Sequence, residues 1–123
     1  MKILIVEPDR HPRMAEIPHT LEAMQQTVDG YIEITYPWED PVALVCDEEG
    51  LLKQLPFNRL FARQCAIFGT FFLCGIGEED LTDLPEKFAV KYTWLLYAPE
   101  KLIQTKSGYT ALPVAVCDPP EVI

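Results

Sequence analysis

Eleven prolines are spread through the 123 residues, at positions 8, 12, 18, 37, 41, 56, 85, 99, 113, 119 and 120. Each holds φ at about −65° and lacks a backbone donor, so it ends a helix or sits at a turn or a sheet edge. The chain is thereby committed to short elements with many turns rather than to a helical bundle. A hydrophobic fraction of 49% fits an ordinary globular core. We read residues 1–116 as one α+β domain, with a mixed, mostly antiparallel sheet and two helices, and residues 117–123 as a C-terminal tail.

The elements follow from periodicity. Lys2 to Val6 is an unbroken apolar run that suits a strand covered on both faces, and "RMAEI" can be its hairpin partner. "HTLEAMQQTVDG" reads as a helix capped by Thr20 or His19, with Leu21, Met24 and Val28 on one face and Gly30 as a left-handed stop. "YIEITYP" alternates, and with "PVALVC" it forms a hairpin. Pro56 breaks "LLKQLPFNRLFAR" into a packed loop or a short turn of helix, and "AIFGTFFLCG" reads as one central strand. In "LTDLPEKFAVKYTWLLYAPEK", Asp83 and Glu86 form a capping box; Leu84, Phe88, Tyr92 and Leu95 share a face, and Pro99 ends the helix. "GYTALPVAV" is the final strand.

A formal charge of −9 sets up a field that repels nucleic acid and anionic membranes. Direct nucleic-acid binding is not expected; the acidity serves solubility or, more sharply, a surface that imitates DNA. The start "MKILIVEPDR" is too short in apolar residues for a signal peptide, and no apolar run reaches the ~20 residues of a membrane span. A cytoplasmic location follows as an expectation, with no membrane contact. Cys46, Cys65, Cys74 and Cys117 lie among apolar neighbours without a Cys-x-x-Cys pair, so they read as buried, reduced thiols.

Catalytic motifs are thin. "FFLCGIGEED" opens like a dinucleotide-binding turn, but Asp80 stands at the third glycine and Glu78, Glu79 and Asp80 would face the pyrophosphate. A glycine-rich exit from a strand is the simpler reading. His11 and His19 have no nucleophile placed beside them, and Ser107 is the single serine. The acid clusters lack calcium-loop spacing, so neither metal nor cofactor is expected. Tyr31, Tyr36, Trp38 and Trp94 lack interleaved basic residues and read as core edges or a dimer surface.

The helix followed by "DGYIEITYP", then "CDEEG", "LPFNR" and "FGTFFLCG", resembles a family of uncharacterised domains found in phage, plasmid and conjugative-element proteins. The resemblance runs from "MKILIVEP" through the helix after "DLTDLPEKF" and fades toward the C-terminus. Members often have a glycine where this chain has Asp29 and an asparagine where it has Asp47; both exchanges suit turns. The resemblance implies a cytoplasmic accessory protein of a mobile element, with antirestriction as a neighbouring function, and it implies no reaction.

Two functions remain. The first is a noncatalytic accessory or regulatory domain that binds another protein through a sheet face or an acidic edge; a homodimer is compatible with it. The second is a small-molecule or enzymatic site near residues 47–59. There Glu48 or Glu49 would act as acid or base, Asn58 would orient a ligand and Arg59 would pair with an anion. For Asn58 and Arg59 the competing role is to tie down loop backbone groups. Gly50 is expected to take positive φ in the "DEEG" turn, and "LLKQLPF" to return the chain to the core.

Overall fold

The computed structural model describes residues 1–61 and 65–114. Two apolar strands, β1 (Lys2–Val6) and β7 (Phe71–Ile76), lie side by side at the heart of a six-stranded sheet. β2 (Arg13–Glu16) flanks β1, and β4 (Val42–Asp47) then β3 (Ile32–Thr35) flank β7, giving the order β2-β1-β7-β4-β3. The two-residue β8 (Leu81–Thr82) pairs with the end of β7, beyond the reach of β1. Every pairing among the described residues is antiparallel.

Strand alternation divides the core in two. Ile3, Ile5, Ala43, Val45, Phe72 and Cys74 face one side, where Met24 and Val28 of helix α1 (Leu21–Val28) cover them. Leu4, Val6, Val42, Leu44, Phe71 and Leu73 face the other. That side is closed by Ala89 and Tyr92 of helix α2 (Glu86–Leu95), by Leu96, and by the hairpin of β5 (Phe57–Phe61) and β6 (Cys65–Phe68). A second hairpin, β9 (Glu100–Thr105) with β10 (Gly108–Pro113), packs beside β5. No helix of the described residues is long and apolar enough to cross a membrane.

The α+β class, both helices, and the β1–β2 and β3–β4 hairpins follow the sequence reading; several details differ for local reasons. In α1 the left-handed stop is Asp29, at φ 58°, whereas Gly30 is needed because a Cβ there would lie 2.5 Å from the Asp47 carboxylate. Leu21 is exposed, and the buried stripe is Ala23, Met24 and Val28. The stretch 51–61 is not a packed loop; a single turn, with the Lys53 amide on the Glu49 carbonyl at 2.9 Å, gives way to a strand. Leu51 and Leu52 project into solvent in a turn closed by Gln54 at φ 57°, and β5 then starts after Pro56. Gly50 does not take positive φ; it is glycine because a Cβ would come 2.6 Å from the Phe68 carbonyl oxygen.

The single central strand expected over "AIFGTFFLCG" is two strands, because Gly69 at φ 83° turns the chain out of the β5–β6 hairpin and into the main sheet. The glycines at 75 and 77 close the β7–β8 turn: Cβ atoms there would meet the Asp83 and Asp80 carbonyl oxygens at 2.3 and 2.7 Å. Asp83 does not cap α2; its carboxylate accepts from the Lys2 amide at 2.9 Å, and Pro85 occupies the cap position. The helix ends at Leu95, which is exposed, and the buried face runs through Ala89, Tyr92 and Leu96. β9, absent from the sequence reading, begins directly after Pro99. The proposed tail at 117–123, with Cys117, lies outside the described residues, as do Arg63 and the end of the final strand beyond Val114.

Cys46 and Cys74 are buried as expected, but Cys65 is exposed at the start of β6. Burial pushes the Cys46 and Cys74 thiols up to about 12. Their folded values lie above the unfolded ones, so the stability they contribute is complete below about pH 9 and is lost as pH rises toward 12. Iodoacetamide at pH 8 should therefore label Cys65 rapidly and spare Cys46 and Cys74 until urea unfolds the chain, as read by peptide mass spectrometry.

Candidate functional site

Asn58 and Arg59 sit on β5 beneath the main sheet, at 0% and 1% exposure. A polar pair this deep must find partners inside the protein. The Asn58 amide donates to the Val6 carbonyl at 2.9 Å and to the Gly69 carbonyl at 2.8 Å. Arg59 Nη1 donates to the Asn58 carbonyl and, at 2.9 Å, to Asn58 Oδ1. Arg59 Nη2 donates to the Arg10 and Leu96 carbonyls, each at 2.9 Å. Leu96 caps the C-terminus of α2, where the helix dipole favours a cation.

Arg59 Nε is buried without a hydrogen-bond partner. Desolvation lowers the Arg59 pKa, and the negative charges of Glu100 and Asp9 act against that shift. His11 strengthens the same joint: its Nδ1 lies 2.6 Å from the Tyr97 carbonyl, and its ring stacks on Tyr97 at 4.0 Å. Asn58 and Arg59 thus hold together the end of β1, the β1–β2 loop, the β6–β7 turn and the end of α2.

Glu48 and Glu49 are placed elsewhere, exposed on the turn after β4. That turn is anchored by Asp47, whose carboxylate accepts from the Glu49 amide at 2.9 Å and from Lys53 Nζ at 2.7 Å. Lys53 also reaches the Asp29 carbonyl at the end of α1. Neither the hollow beside Glu48 nor the one beside Glu49 is lined by Asn58 or Arg59. The four candidates therefore form two separate groups.

A recess near this turn lies between β3 and β6. Two hollows of about 680 and 180 Å³ adjoin there and share Thr35, Cys65 and Ile67. Glu33, Glu39 and Glu48 stand along them, and among the described lining residues there is no lysine, arginine or histidine. Their carboxylates make no hydrogen bond or ion pair to another described residue. Trp38 forms one wall and is held edge-on to Phe61 at 5.7 Å and against Tyr92 at 4.3 Å.

Below that wall, the Tyr92 hydroxyl and Lys91 both donate to Asp40 Oδ2. These bonds, Lys91 first, hold the Asp40 carboxyl below its ordinary range, while burial pushes the Tyr92 hydroxyl up. Among the described residues no three His, Cys, Asp or Glu side chains gather as metal ligands.

The rim of the trough is β3, an edge strand. The Glu48 amide donates to the Tyr31 carbonyl at 3.0 Å, in register with the pairs Glu33↔Cys46 and Thr35↔Leu44. In an antiparallel ladder, hydrogen-bonded pairs alternate with open ones. Tyr31, Glu33 and Thr35 therefore turn their backbone groups toward β4, and Ile32 and Ile34 turn theirs outward. Glu33 and Thr35 stand on the α2 side of the sheet, opposite Cys46 and Leu44, where the trough lies.

Residues 1–96 match the family described as a domain of unknown function (DUF3846). The chain belongs to that family. No curated protein and no solved structure matches it.

Sequence reasoning singled out Tyr31, Tyr36, Trp38 and Trp94 as one possible aromatic surface. The fold separates them: Trp94 is exposed on α2, whereas Tyr31 and Tyr36 flank β3 and Trp38 lines the trough. Glu33 and Glu39 were not among the candidate site residues; the alternation of "YIEITYP" was the available signal for Glu33.

Asn58→Ala takes the side-chain amide away from the Val6 and Gly69 carbonyls and leaves Arg59 Nη1 only the backbone carbonyl of residue 58, which should cost on the order of 3 kcal/mol. Arg59→Met should also destabilise. The double variant should lose less than the sum of the two in urea titrations, because the residues share one network.

Proposed function

We propose that this domain is a noncatalytic protein-binding module, accessory or regulatory in kind, whose contact surface is the β3 edge and the trough beside it. The observation that carries the reading is an exposed edge strand with Tyr31 at 68%, Ile34 at 37% and Tyr36 at 58% exposure. An edge with apolar side chains and unused backbone groups is a template for another chain. The accessory role also suits the mobile-element context implied by the family resemblance.

The alternative of a small-molecule site over residues 47–59 draws less support. The Asn58 amide and the Nη groups of Arg59 spend their donors on backbone carbonyls and on each other, and Glu48 and Glu49 stand apart from them. The two groups that would orient and pair with a ligand are thus engaged in holding the fold, and the free carboxylates stand away from them.

Immobilised full-length chain, washed with lysate of its own organism at low and moderate salt, should retain at least one protein above a mock-coupled control by quantitative mass spectrometry. Retention of none at either salt overturns the reading.

A further inference from the structure

Resting on the protein-binding reading, the chemistry of the β3 edge narrows its partner. Natural edge strands are commonly blunted by lysine, proline or a bulge. β3 reads Ile-Glu-Ile-Thr; it is short, at four residues, and carries one charge, Glu33, but no lysine, proline or bulge lies inside it. The opposite edge, β2, carries Arg13, which pairs with Glu7 at 3.0 Å. The backbone groups of Ile32 and Ile34 face outward, and Glu33, Glu39 and Glu48 lie along the trough on one side of that edge.

We propose that β3 takes up an extended segment of a partner protein as an added strand, with lysine or arginine at alternate positions facing the trough. Strand addition supplies main-chain bonds to Ile32 and Ile34, and the two-residue period brings every second side chain to the acids. Trp38 and Tyr36 offer aromatic faces to the same cations. A second copy of the chain is a poorer occupant. Its own acids would meet those of the first, with a charge of −9 on each.

The probe is the capped peptide Lys-Val-Lys-Val-Lys-Val-Lys, titrated into 15N-labelled full-length chain, with its Glu-for-Lys counterpart as control. The expected result is saturable shifts of the Ile32 and Ile34 amides, with hydrogen exchange at both slowed by about an order of magnitude. The acidic peptide should not bind, and Glu33→Gln should weaken the basic peptide several-fold. Ile34→Pro deletes a donor that β4 does not use and should abolish the protection.

Peptides N-methylated on one or the other alternate set test the same bonds in the unaltered protein: one set should lose binding and the other keep it. Equal binding of both methylated sets, equal binding of the acidic peptide, or no response at Ile32 and Ile34 overturns the proposal. So does slow exchange at these amides that grows with protein concentration without peptide, since a second copy would then hold the edge. A lysate partner retained equally by wild-type and folded Ile34→Pro chains leaves the protein-binding reading standing and overturns strand addition. Failure to retain any protein overturns the protein-binding reading whichever way the titration falls.

Discussion

A guanidinium with 1% exposure is the constraint around which this fold is arranged. A buried charge is tolerated only where dipoles replace the water it lost. Here the Nη donors meet three backbone carbonyls and the Asn58 side chain. The acceptors come from segments far apart in the chain, at Arg10, Asn58 and Leu96, and Asn58 adds Val6 and Gly69. Because the guanidinium fork is rigid and planar, these segments are fixed in direction as well as distance.

That joint reaches the trough through Gly69. The turn there, held by Asn58 and by a 2.7 Å bond from the Gly69 amide to the Pro56 carbonyl, sets where β6 leaves the hairpin and β7 enters the main sheet. β6 supplies the wall of the trough that carries Cys65 and Ile67, opposite β3. On the other side, Asp47 and Lys53 tie the turn after β4 to the end of α1, which holds Glu48 at the rim. Two polar anchors, one on each side, thus shape a recess in which Glu33, Glu39 and Glu48 take no part in either.

Local periodicity made part of this legible. α1 has a repeat of about 3.6 and β3 one of two, while β1 and β4 show as short unbroken apolar runs, and such local patterns survive tertiary packing. The split between β6 and β7 did not show, since the residues on either side of Gly69 are apolar and only the sheets they join tell them apart. β9 was hidden because Glu100 to Thr105 is half polar and lies on an outer hairpin. Asn58 and Arg59 stood out as polar residues in an apolar stretch, but their partners lie up to 52 residues away. The trough was harder still, because its described walls come from residues 33–39, 44–51, Phe61 and 65–68.

The place of β7 also imposes an order of assembly. β1 and β4 never pair with each other; each pairs with β7, which lies between them. The β1–β2 and β3–β4 hairpins can zip locally as soon as they are synthesised, yet they have no common sheet until Phe71 to Ile76 arrives. At ribosomal speeds that wait lasts roughly 3–13 s after β1 emerges. During it, the very apolar inner edges of two half-sheets stay open, and the strand that comes between them closes both.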